Sequence, residues 1–148
     1  MGKAQVEELR KHGKYFSVPR GISMKPMIRN KQGIVEIHEL KSEAKRYDVV
    51  LYETKRDIGV IHRVLHVKDD HYVIAGDNCW QLEYVPKDAV VGIAVRFYRN
   101  GKWHEMDTVP YRIYSHVWAD LFFIRRPVFF VRDKLKRALR KIKRTVFK

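Results

Sequence analysis

Two side chains in this sequence, Ser23 and His62, are of the types that carry out acyl transfer. Ser23 lies in Gly21-Ile-Ser-Met-Lys-Pro-Met27, and His62 opens His62-Arg63-Val64. A serine hydroxyl is a poor nucleophile until a neighbouring base takes its proton during attack. Imidazole suits that task, because a free histidine titrates at about 6.5 and is mostly neutral, yet able to accept a proton, at pH 7. A lysine base would need burial to lower its pKa by several units. Pro26 fixes the chain just after the serine, and Gly21 lets the backbone approach a substrate closely. Backbone N–H groups at such a turn can stabilise an oxyanion. Met24 and Met27 flank the serine and either line a shallow substrate groove or pack in the core.

Other chemistries fit less well. His62 and His66 share one face of a strand but stand about 13 Å apart at about 3.3 Å per residue. A zinc–nitrogen bond is only about 2 Å long, so no metal site and no cofactor is expected. Cys79 is the only cysteine, which rules out an internal disulfide and fits a reducing compartment. It reads as a small buried residue.

These residues must be held by the elements around them. Residues 4–12 read as a short polar helix. Runs of β character follow at 34–38, 49–52, 59–67, 72–75 and 90–98. Asp69-Asp70 closes a hairpin, and Asn100-Gly101 is a second turn, followed by a last strand over 102–106. Short strands and regular turns without intervening helices predict a mainly β fold, a coiled or barrel-like sheet, over residues 1–107. At 45% hydrophobic residues, the chain can bury a core. Residues 108–148 form an appendage. It is aromatic and apolar over 111–124, with a helix start expected at Pro127. Val128, Val131, Leu135, Ala138/Leu139, Ile142 and Val146 then recur at steps of three and four, with basic residues on the other faces. That is a basic amphipathic helix.

The segment around Ser23 resembles the Ser-Met-x-Pro nucleophile box of the signal peptidase I family and its relatives, the self-cleaving repressor-type peptidases. Further resemblances follow in order. Tyr47-Asp48-Val49-Val50 is similar to the family's Gly-Asp-hydrophobic-hydrophobic strand, with Tyr for Gly. His62-Arg63-Val64 stands where bacterial enzymes have Lys-Arg-Val and other members have His. Gly76-Asp77-Asn78 resembles the Gly-Asp-Asn box, and Val85-Pro86 with Val90-Val91-Gly92 the closing segment. The resemblance spans residues 21–98 and implies a serine endopeptidase with Ser23 as nucleophile and His62 as base. It implies Asp77 as a third member that orients His62, or else holds its own turn. Gly21, Met24 and Pro26 would adjoin the substrate, an extended leader or precursor peptide with small residues before the cut. Gly21 stands where some members carry an assisting hydroxyl, so the backbone must suffice. Typical members are tethered by a membrane-spanning helix, and no comparably long apolar run occurs in this sequence.

The charge is uneven. Of 31 Lys+Arg, eleven fall between Arg125 and Lys148 beside one acid, Asp133. A nearly balanced body with a basic tail implies an anionic partner. Trp118, Phe122, Phe123, Phe129 and Phe130 suit a lipid interface, and the cations suit anionic headgroups. Nucleic acid is the less favoured partner. The N-terminus has no apolar core of the secretory type, so the expected location is cytoplasmic, peripheral on the cytoplasmic membrane face. The competing function is a non-catalytic binding or regulatory module on the same fold.

Overall fold

The apolar run Val49–Tyr52 splits between two cores, and this alternation organises the molecule. Val49 and Leu51 enter one cluster with Met24, Met27, Ile37, Ile61 and Phe97. Val50 and Tyr52 enter another with Val64, Tyr72, Ile74 and Val85. A strand buried on both faces reads as a continuous apolar run rather than an alternating one. The computed structural model describes residues 3–56 and 58–146, so Lys148 lies outside the described residues, as does the side chain of Val146.

The elements in order are α1 (Lys3–His12), β1 (Lys14–Ser17), β2 (Ile34–Glu39), β3 (Val49–Glu53), β4 (Gly59–Val67) and β5 (His71–Ala75). Then come β6 (Glu83–Pro86), β7 (Val90–Arg99), β8 (Lys102–Glu105), α2 (Val109–Asp120) and α3 (Phe122–Val146). The eight strands form one antiparallel sheet in the order β1-β2-β7-β3-β4-β5-β6, with β8 added beside β7. β1 and β6 end the order without pairing to each other, so the sheet is open and not a closed barrel.

The mainly β expectation is corrected in the same way. Strand accounts for 34% and helix for 33%, which makes the chain a mixed fold. The helical share rises because the aromatic stretch before Pro127 is itself helical. Thr108 precedes α2 and Pro110 stands in its first turn, a favoured place for proline. α3 begins at Phe122, not at Pro127, which lies inside the helix. Phe122 is 2% exposed and packs with Leu65, Ala75 and Ala119, which anchors the helix start ahead of the proline. Leu121 alone separates the two helices. It donates to the Val117 carbonyl at 3.1 Å and accepts from Arg125 N at 3.1 Å, so helical bonds run on both sides of it.

Much of the apolar surface of these helices is uncovered. Val109, Ile113, Val117 and Leu121 are exposed, and so are Ile124, Val128, Val131, Leu135, Leu139 and Ile142. Among the described residues, no helix is long and apolar enough to cross a membrane.

Candidate active site

Ser23 lies in the long loop between β1 and β2. Apolar anchors hold this loop from below: Met24, Met27 and Ile28 are 4%, 1% and 3% exposed. Polar bonds shape its rim. Gly21 N donates to Asn30 Oδ1 at 2.8 Å, and Ile28 N to the Met24 carbonyl at 2.9 Å. Gly21 has φ +113°, a region that side chains rarely allow, so the turn before the serine requires glycine.

His62 comes from β4, opposite Val50 of β3. Its side chain is almost wholly buried, and the ring is gripped from one end. His62 Nδ1 lies 2.8 Å from Glu83 Oε1, and the Tyr52 hydroxyl donates to Glu83 Oε2. The Tyr52 oxygen also stands 3.3 Å from Nδ1. Burial opposes ionisation of Glu83, but hydrogen bonds from His62 and Tyr52 outweigh it and hold the carboxyl below the usual glutamate range. Burial, reinforced by Glu83, pushes the Tyr52 phenol upward, so it remains a proton donor. An ionised carboxylate at Nδ1 accepts the N–H there and leaves Nε2 as the unprotonated nitrogen.

Nε2 points toward the serine loop. A Cβ placed on Gly76 would stand 3.0 Å from His62 Nε2, 2.8 Å from the Ser23 carbonyl oxygen and 2.9 Å from Cys79 Sγ. These three groups converge on the face of one glycine, so the ring nitrogen and the Ser23 carbonyl border the same turn. The turn also holds the loop directly. Asn78 N donates to the Ser23 carbonyl at 2.6 Å, and Asn78 Nδ2 to the Ile22 carbonyl at 3.0 Å.

Ser23 and His62 line one cleft of about 410 Å³. Ser17, Pro19, Arg20 and Gly21 form one wall, Ile58 to Ile61 the other, and Met24 and Ile28 line it too. Met24 therefore serves both the core and the cleft. Pro26 does not line it; its carbonyl accepts from Arg99 Nη1 at 2.7 Å, behind the loop.

Asp77 bonds to Arg63 and Tyr114. Arg63 Nε donates to Oδ1 and Nη2 to Oδ2, both at 2.8 Å, and the Tyr114 hydroxyl donates to Oδ2 at 2.8 Å. Both residues are 0% exposed. Burial works against the Arg63 charge, yet Asp77 outweighs it and raises the guanidinium further above its usual value. The Asp77 carboxylate is thus committed to Arg63 and Tyr114, and the carboxylate beside His62 is Glu83. Sequence reasoning missed Glu83. Its one signal is a carboxylate entering the apolar Tyr84-Val85 strand shortly after the Gly76-Asp77-Asn78 turn.

Cys79 is half-buried beside this group, and burial, with Glu83 next, pushes its thiol up, away from thiolate. Among the described residues, no group of three or more His, Cys, Asp or Glu is placed to hold a metal ion. No known family model, curated protein or solved structure matches this chain.

Proposed function

We propose that the protein is a serine endopeptidase that hydrolyses an extended peptide through Ser23 and His62, with Glu83 orienting the base. The observation that carries this reading is that Glu83 lies at His62 Nδ1 while Ser23 and His62 line one cleft, with Nε2 and the Ser23 carbonyl both bordering Gly76. A hydroxyl, an imidazole and an ionised carboxylate in that order are the parts of acyl-transfer catalysis.

In this mechanism the Ser23 hydroxyl oxygen attacks the peptide carbonyl carbon as its proton passes to His62 Nε2. Backbone N–H groups of the serine turn receive the oxyanion. The C–N bond then breaks, and His62 returns the proton to the leaving amine. Water, deprotonated by the same nitrogen, attacks the acyl ester and frees Ser23. Glu83 stabilises the imidazolium formed at each step.

The sheet supports an extended substrate. β5 ends at Ala75, opposite Arg63, so β4 from Gly59 to His62 is paired on one side only, to β3. This free edge borders the cleft, where main-chain pairing can hold a peptide and the apolar walls can select small side chains. Leader or precursor segments processed at the cytoplasmic membrane face fit that description.

A fluorophosphonate probe tests the assignment. Labelling of the wild type, absent in Ser23→Ala and strongly reduced in His62→Ala, is the expected result. Equal labelling of all three proteins would remove Ser23 as nucleophile and leave a peptide-binding module.

A further inference from the structure

The exposed apolar row on α2 and α3 is one feature, not two. From Val109 to Ile142 its members follow each other at steps of three or four without a break, including across Leu121. Each is between 45% and 68% exposed. At about 1.5 Å per residue, the row runs about 50 Å along the helical path. On its other sides α3 carries nine Lys and Arg among its described side chains, against one Asp.

This combination decides between occupants. A second copy of the chain would bring two cationic helices together, which the like charges oppose. Phosphate-backbone binding would use the cations and leave the apolar row in water. An anionic bilayer takes both, the row entering the interface and the cations meeting headgroups.

The same helices also clamp the turn behind the nucleophile. Trp118 Nε1 and Arg125 Nη1 both donate to the Asp77 carbonyl at 2.6 Å. Arg132 Nη1 and Nη2 donate to Asn78 Oδ1 at 2.5 Å and to the Asn78 carbonyl at 3.0 Å. Asn78 in turn bonds the backbone of Ser23 and Ile22. Long exposed helices owe their stability to whatever covers their apolar face. We propose that α2 and α3 form a single docking face for an anionic bilayer, and that docking there firms the Arg132–Asn78–Ser23 chain and activates the Ser23 site. The activation half rests on the peptidase reading; the docking half does not.

Two readouts separate them. The first is co-sedimentation of the full chain with vesicles of phosphatidylcholine, with or without phosphatidylglycerol. The bound-to-free ratio should rise about tenfold or more with the anionic lipid. Leu135→Glu/Leu139→Glu, at exposed positions and with helicity checked by circular dichroism, should abolish it. Equal binding to neutral vesicles, no binding to either, or retention by RNA but not by vesicles each overturns docking. The second readout is the rate of fluorophosphonate labelling, which should rise several-fold with anionic vesicles in the wild type. Arg132→Ala should still sediment but lose that rise. Sedimentation without any change in labelling rate overturns activation. Sedimentation with no labelling under any condition keeps docking and removes both activation and the peptidase reading.

Discussion

Glu83 Oε1 lies 2.8 Å from His62 Nδ1, at the end of the ring away from the nitrogen that borders Gly76. The tautomer of this imidazole is thus set by a carboxylate from another strand, β6.

Replacing that carboxylate should cripple turnover while sparing the fold. Glu83→Gln presents an amide that can donate to Nδ1, which favours the wrong tautomer. A fall in kcat of about 10³ to 10⁴-fold is expected, the scale seen when the acid of a serine-protease triad becomes an amide. Circular dichroism should change little. Unaltered kcat would mean that Glu83 does not orient His62.

Asp77 is expected to behave oppositely, as a structural residue. Asp77→Ala leaves the buried Arg63 guanidinium without its counter-charge and should cost about 3–5 kcal/mol in denaturant unfolding. Arg63→Met/Asp77→Leu should cost clearly less than the two single losses added together, since it leaves neither charge stranded. Additive losses would show that the pair is not coupled.

Gly76→Ala probes the convergence at the turn. The new methyl would press on the Ser23 carbonyl, Cys79 Sγ and His62 Nε2, so the serine turn and the imidazole must shift. A fall in labelling rate of about 100-fold or more is expected, because displacements near an ångström cost that much in positioning. A rate within threefold of the wild type, roughly the noise of such assays against that scale, would contradict the convergence.

The acid limb of stability follows from Glu83. Its folded pKa lies below the ordinary value, so its bonds to His62 and Tyr52 contribute stability above the unfolded-state value, about 4.3 for glutamate. That contribution is lost as pH falls through the lower folded value. Melting of wild type and Glu83→Gln across pH should therefore show a gap that holds at neutral pH and closes below about pH 4. A gap that widens on acidification would reverse the sign.

Several elements were legible because neighbours in sequence determine them. β4 spans Gly59–Val67, as its dense β-branched run implies, and α1 spans Lys3–His12, within a residue of the expected start. Four-residue strands such as β1 and β6 carry too little pattern to stand out. Glu83 was hidden for a related reason. It reaches His62 only after β5 pairs with both β4 and β6, a relationship that no local spacing encodes. Asp77 was ambiguous because a turn carboxylate and an orienting carboxylate look alike until Arg63 is placed beside one of them. Helix α2 was obscured by its aromatics. Tyr114 and Trp118 face Asp77, Ile113 and Val117 face away, and a helix apolar nearly all round shows little periodicity.

The early end of β5 carries one more consequence. A guest chain laid along Gly59–His62 becomes the missing neighbour of β4, and to do so it must surrender any helix or hairpin of its own. Selection by this cleft would begin with the backbone, before any side chain is read. Segments locked in a folded domain would be excluded from this edge, while a newly made tail of the same composition would be admitted.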